Sequence, residues 1–248
     1  MKKTILTIAL CLLMLGITEN VKSQFDEKKY LNEILNNLEQ INSVSYIQTT
    51  IMNQRGDTVP MLDRPIKNYY KEFSNPADTA TGISFVIFDA TDTTKLAAFY
   101  HENVYVSLRH DIKAILVDSA NFRGGKVFFN SVKNIIRYAL NPNDSISTEF
   151  HDFGDSLLFR LNVYADRGVM LDDKRPVYFS GGSNGIELSN YDVWINKATG
   201  LPFKRKTIFS ARSGIYWEDL DDVQMNKMDI NNFVPSRYFP EDYDIIMR

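Results

Sequence analysis

Apolar residues first follow a helical period. Leu31, Ile34, Leu35, Leu38 and Ile41 recur every three or four positions, with Glu, Lys and Asn between them. This spacing predicts an amphipathic helix over Asp26 to Ile41, with Asp26 as its cap. From Ser43 the period changes to two, where Val44, Tyr46, Gln48, Thr50 and Met52 alternate with Ser45, Ile47, Thr49 and Ile51, and Arg55-Gly56-Asp57 then supplies a turn. Ile66 to Phe73 reads as a second strand, broken by Asn75-Pro76-Ala77-Asp78. Ile83 to Asp89, Lys95 to His101, Val104 to Arg109 and Ile112 to Val117 follow at hairpin-sized separations, which predicts an antiparallel meander.

After a loop at Phe122 to Lys126 the helical period returns. Phe128, Phe129, Val132, Ile135, Ile136, Ala139 and Leu140 form a wide apolar stripe, and Pro142 stops the helix. A stripe that wide implies deep burial, as a lid or plug against the sheet. Strands resume at Ser145 to Asp152 and Ser156 to Tyr164. The stretch Asp166 to Gly185 is the least regular, and Asp172 to Pro176 and Gly181 to Gly185 read as mobile loop. Ile186 to Asn196, Leu201 to Ser210 and Gly214 to Val223 complete the strands, and a helical turn near Asp229 to Phe233 leads into an aromatic tail. The fold class that follows is α+β: an antiparallel sheet with amphipathic helices lying against it.

The hairpin "YDVWINKATGLPFKRK" shows how such a sheet is made. Tyr191, Val193 and Ile195 share one face, and Leu201 and Phe203 continue it beyond the turn. Gly200 takes the corner, where a positive φ is needed, and Pro202 follows at a strand start.

Length and composition narrow the picture. The chain has 248 residues, of which 44% are hydrophobic and 12% aromatic, with a net charge of −3. One core of that size fits a single β-rich domain. Charge is mixed along the chain with no basic stripe, which argues against nucleic acid as a partner.

The first residues indicate the compartment. Lys2 and Lys3 precede an apolar run from Ile5 to Ile17, and a polar stretch follows to Gln24. That is the layout of a secretory signal peptide, too short for a permanent span. Residues 1–23 are therefore read as the leader, cleaved near Ser23, and 24–248 as one mature domain in the periplasm. Cys11, the only cysteine, follows Leu10 inside the apolar run, so it is no lipid acceptor and leaves with the leader. A mature chain without sulfhydryls has neither a disulfide nor a thiol nucleophile.

Chemistry-bearing constellations are sparse. His101, His110 and His151 lack the short spacing of a zinc site, so no metal is expected. No G-x-S-x-G elbow supports a Ser–His–Asp triad. Gly181 to Gly185 lacks the Lys-Ser/Thr of a phosphate loop. Asp78, Asp89 and Asp92, and the later Asp219, Asp221 and Asp222, do not follow a calcium-loop pattern and read as turn residues. No catalytic residue and no cofactor are expected. Trp194 and Trp217 mark either a partner surface or packing at the edge of the sheet.

A leader, one amphipathic helix, the "NSVSY" start of the first strand, a long sheet interrupted by helices, and the late "WINKATGLPFK" hairpin resemble the LolA/LolB superfamily of periplasmic lipoprotein carriers. The stretches "YYKEFSNPADT", "IIRYAL", "HDFGDS" and "YDVWINKATGLP" look more closely like the N-terminal module that precedes the thioredoxin domain in exported TlpA-type proteins, whose Cys-x-x-Cys motif is missing here. The resemblance implies a curved antiparallel sheet, an open half-barrel, with the amphipathic helices covering its concave face, and a non-enzymatic protein that binds a lipid or an acylated protein in an apolar cavity. Its alternative is an accessory module for a periplasmic thioredoxin-domain protein.

A cavity of this kind would be lined by Leu31, Leu35 and Leu38 of the first helix and by Phe129, Val132 and Ile136 of the second. Phe85, Ile87, Phe99, Phe159, Leu161, Val193 and Phe203 of the sheet would face them. The same residues would also serve as an ordinary filled core.

Overall fold

Asp26 starts the first helix by accepting the Lys29 N–H at 2.9 Å, and Glu27 adds negative charge to the first turn. The helix, α1, spans Glu27–Glu39 and buries Leu31, Ile34 and Leu38. The structure is a computed structural model that describes residues 26–53, 65–79, 81–118, 127–141, 145–166, 168–171, 176–179, 187–209, 214–228 and 234–247. The expected signal peptide, the expected turn at Arg55-Gly56-Asp57, the expected loops at Phe122–Lys126, Asp172–Arg175 and Gly181–Gly185, Pro142 and the expected helical turn at Asp229–Phe233 lie outside the described residues.

Six strands follow α1, namely β1 (Ser43–Asn53), β2 (Ile66–Ser74), β3 (Ile83–Asp89), β4 (Leu96–His101), β5 (Val104–Arg109) and β6 (Ala114–Asp118). Helix α2 covers Phe128–Leu140. After it come β7 (Ile146–Asp152), β8 (Ser156–Ala165), β9 (Gly168–Met170), β10 (Val177–Phe179), β11 (Glu187–Asn196), β12 (Leu201–Phe209) and β13 (Gly214–Met225). A 3-10 turn at Pro235–Tyr238 leads to β14 (Asp244–Met247).

Twelve of these strands form one sheet in the order β14-β6-β5-β4-β3-β2-β1-β13-β12-β11-β8-β7. Its ends, β14 and β7, do not meet, so the sheet is open. Every neighbouring pair is antiparallel except β14 with β6. The meander from β1 to β6 and the hairpins β7–β8 and β11–β12 are those the hydrophobic alternation predicts. The contact in the middle, β1 with β13, joins an early and a late strand from Val44↔Met225 to Asn53↔Ile215, with a register shift between Ser45 and Ile47.

The sheet is apolar on both faces, and each face has its own cover. On the inner face, Val44, Tyr46, Phe85, Tyr100, Phe159, Leu161 and Val193 pack with Leu31, Ile34 and Leu38 of α1 and with Phe128, Val132 and Ile136 of α2. On the outer face, Phe73, Val86, Phe88, Phe99, Val106 and Ile115 form a second cluster under Met228, Tyr238, Phe239 and Tyr243 of the C-terminal segment. Phe88 meets Tyr238 edge-on at 5.2 Å, and Phe99 stacks on Phe239 at 6.2 Å.

The irregular stretch after β8 is partly ordered. β9 and β10 pair as a small separate ribbon, and Val169 and Leu171 join the inner core, where Tyr191 donates its hydroxyl hydrogen to the Val169 carbonyl. The Trp194–Lys204 hairpin keeps the expected corner. Gly200 has φ +67, and its Cα lies so close to α1 that an added Cβ would sit 3.4 Å from Asn37 Nδ2.

Candidate functional site

Among the described residues, the inner face of the sheet is the surface on which the expected ligand-contacting residues come together, and eleven of the thirteen do so. Leu31, Leu38, Phe85, Phe129, Val132, Ile136, Phe159, Leu161 and Val193 are buried in one cluster, with Leu35 and Ile87 at its margin. They pack against one another as a filled core. Phe128, Val132, Ile135 and Ile136 of α2 have no exposed surface.

The other two stand elsewhere. Phe99 faces the outer side, because Tyr100 takes the inner side opposite Phe85 and strand alternation turns its neighbour outward. Phe203 is half-buried at a register shift: Trp194 pairs with Lys204 and Ile195 with Pro202, which leaves Phe203 without a partner on β11. The bulge breaks the period-two count by which the sequence assigns Phe203 to the inner face.

Helix α2 docks through a polar contact that its own sequence does not supply. Its cap position is Val127, which offers no side-chain acceptor. The missing acceptors come from β1 and β2 instead. Glu72 accepts the Phe129 N–H on Oε1 at 3.0 Å and the Asn130 N–H on Oε2 at 3.2 Å. Tyr46 accepts the Phe128 N–H at 3.0 Å and donates its own hydroxyl hydrogen to Glu72. Three orphan donors of the first turn are satisfied by two sheet side chains, with a carboxylate at the positive end of the helix. Tyr46 is fully buried and Glu72 is 4% exposed. Burial raises the carboxyl pKa of Glu72 above its ordinary value, against the lowering pull of Tyr46, Lys133 and the two backbone donors. Burial likewise raises the Tyr46 phenol, with Glu72 adding to the shift. A cleft of about 10 Å³, room for one water, is lined by Glu72 together with Leu38, Ile41, Phe129 and Lys133.

A second buried polar group lies on the neighbouring inner strands. Arg205 of β12 donates from Nε to Glu218 of β13, and its guanidinium carbon stands 6.0 Å from the Phe128 ring centroid. Gln48 of β1 donates to Glu218 at 3.2 Å. A list of apolar positions passes over these polar residues. The signal was the alternation itself, which places Gln48, Glu72, Arg205 and Glu218 on the apolar side of their strands.

The other candidates take separate places. His101 bonds Ser84, His110 bonds Tyr243 and the Leu96 carbonyl, and His151 bonds Glu149. Among the described residues no three His, Cys, Asp or Glu stand together as a metal site. Asp89 and Asp92 accept the N–H groups of Thr91 and Thr94, as turn residues do. Trp194 and Trp217 are half-buried on the outer face, with the Lys204 ammonium 5.7 and 5.3 Å from their rings. No helix among the described residues is long and apolar enough to cross a membrane.

Comparison with known proteins gives distant likenesses. No family model and no curated sequence matches the chain. Among solved structures, an uncharacterised conserved protein from Thermus thermophilus is similar over 88% of this chain and 98% of its own, at 8% identity and a TM-score of 0.43. A LolA superfamily protein from Nitrosomonas europaea is similar over 83% and 98%, at 9% identity and a TM-score of 0.34. LprF from Mycobacterium bovis is similar over 82% and 93%, at 7% identity and a TM-score of 0.37.

Proposed function

We propose that this protein is an exported, non-enzymatic carrier that holds a lipid, or the lipidated end of another envelope protein, against the inner face of its sheet. One observation carries the reading: the inner apolar face of an open sheet is covered in part by two short helices, and α2 is seated by its first-turn N–H groups on Glu72 and Tyr46. The sheet keeps its own ladder of backbone hydrogen bonds when a helix lifts, so the cover is separable from the wall. The surface uncovered is aliphatic and aromatic, and an acyl chain replaces helix side chains there at about 0.8 kcal/mol per buried CH₂. The leader expected at residues 1–23 supports a periplasmic setting for this exchange, where acylated proteins and lipids must cross water.

The test is a displacement assay on the delipidated mature protein with a fluorescent fatty-acid analogue, paired with mass spectrometry of organic extracts from protein purified natively. Saturable displacement and a co-purifying acyl species are expected. No binding and a lipid-free extract would end the carrier reading.

A further inference from the structure

Under the first residue of α2 the inner face is not apolar. Tyr46 and Gln48 lie two residues apart on the same side of β1, and Tyr46 holds the Phe128 N–H. Arg205 approaches the Phe128 ring from β12, with Glu218 between Arg205 and Gln48. Gln48, Arg205 and Glu218 are 2%, 5% and 6% exposed. The Gln48 amide nitrogen donates to Glu218 at 3.2 Å and to the Thr50 hydroxyl at 3.0 Å. A carboxylate paired with a guanidinium only accepts, so it fixes which end of the amide faces it. The other end, Gln48 Oε1, is buried with no hydrogen-bond partner. A buried carbonyl in that state loses its hydration and gains nothing in return.

We infer that Gln48, beside the Arg205–Glu218 pair, receives the polar head of the acyl ligand, and that this head is uncharged and carries a hydroxyl or amide N–H. The inference rests on the carrier reading and names the ligand class within it. Arg205 and Glu218 already neutralise one another. An ionised carboxylate brought beside them would be a buried anion next to Glu218 with no cation of its own, and an ammonium would meet the same difficulty at Arg205. A neutral donor adds no charge and supplies the hydrogen that Gln48 Oε1 lacks. The ligand class is therefore an acylglycerol or an N-acylated amine, with its chain in the space of α2 and its linkage end at Gln48.

Four lauroyl probes in the displacement assay test this: 1-monolaurin, N-methyl lauramide, methyl laurate and ionised laurate. Monolaurin and the amide are expected to bind about tenfold tighter than methyl laurate, the size of one buried carbonyl left unpaired or satisfied. Laurate at neutral pH is expected to bind more weakly than monolaurin. Gln48→Met should remove the tenfold gap between monolaurin and methyl laurate, whatever its effect on their common affinity. Equal affinities of monolaurin and methyl laurate for the unmodified protein would overturn the inference while the carrier reading stands, and this comparison needs no variant to fold. Displacement by none of the four would overturn both.

Discussion

The Glu72 carboxylate on β2 accepts the Phe129 N–H at 3.0 Å, so α2 begins on a side chain 57 residues earlier in the chain. The first turn of α2 is thus held by a polar joint to the sheet, beside the apolar packing of Val132 and Ile136.

Removing the acceptor should loosen α2 before it loosens the sheet. Glu72→Leu leaves the N–H groups of Phe129 and Asn130 and the Tyr46 hydroxyl without their common partner. A cost of about 2–3 kcal/mol is expected, since breaking one side of a buried ionic contact leaves the other side unpaired. Urea unfolding should show the loss, and hydrogen exchange should show it first at Phe129 and Asn130. An unchanged midpoint would mean that apolar packing alone holds the helix.

The same carboxyl gives a signed pH dependence. Its folded pKa is raised, with burial the largest cause. The folded state then binds a proton more readily than the unfolded chain, so Glu72 contributes most below its ordinary value, and that contribution is lost as pH rises through the raised one. Relative to Glu72→Gln, the native protein should therefore lose stability between these two values as pH increases. Tyr46, Tyr70 and Lys133 face Glu72 and are common to both proteins, and burial raises both phenols further above this window, so the difference between the two curves reports Glu72. Asp152 and Asp242, lowered by Lys197 and Lys113, act with the opposite sign in both and cancel. A native advantage over Glu72→Gln that grows with pH would contradict the assignment.

The visible ion pair between the helices should matter little. Arg137 reaches Glu39 at 2.8 Å, but the two side chains are 40% and 45% exposed. Exposed pairs of this kind contribute about 0–1 kcal/mol. Arg137→Ala should shift the unfolding midpoint less than Glu72→Leu does. Raising the salt concentration should erase whatever shift remains.

Much of the fold could be read from the chain because its strands alternate cleanly and its helices carry apolar stripes. Leu31, Ile34 and Leu38 point at the sheet as their spacing requires, and the Gly200 corner turns where a positive φ is needed. What could not be read depends on contacts between distant segments. The seat of α2 on Glu72 and Tyr46 needs the pairing of β1 with β2 and the approach of a helix begun by Val127. Alternation also failed where local rules ended. The bulge at Phe203 shifts the count by one, and the outer face near Phe99 is apolar only because the C-terminal segment returns to cover it. A sheet buried on both sides does not announce which side is which.

That ambiguity leads to a direct comparison of two phenylalanines. Phe159 sits on the inner face with no exposed surface, and Phe99 sits on the outer face against Phe239. Both are core residues, so Phe159→Ala and Phe99→Ala should each destabilise the protein, by about 3–5 kcal/mol for the fully enclosed Phe159 and less for Phe99. Their effects on ligand should differ in kind. Phe159→Ala removes part of the wall against which an acyl chain would lie and should weaken probe binding severalfold. Phe99→Ala acts on the far side of the sheet and should leave the affinity of the folded fraction unchanged. Phe239→Ala, which uncovers the same outer cluster from the other side, should behave like Phe99→Ala. Measuring affinity well below each variant's unfolding midpoint separates binding from stability. Equal loss of affinity in Phe99→Ala and Phe159→Ala would show that the two faces are not independent, and the ligand would then have to be sought under the C-terminal segment as well as under α2.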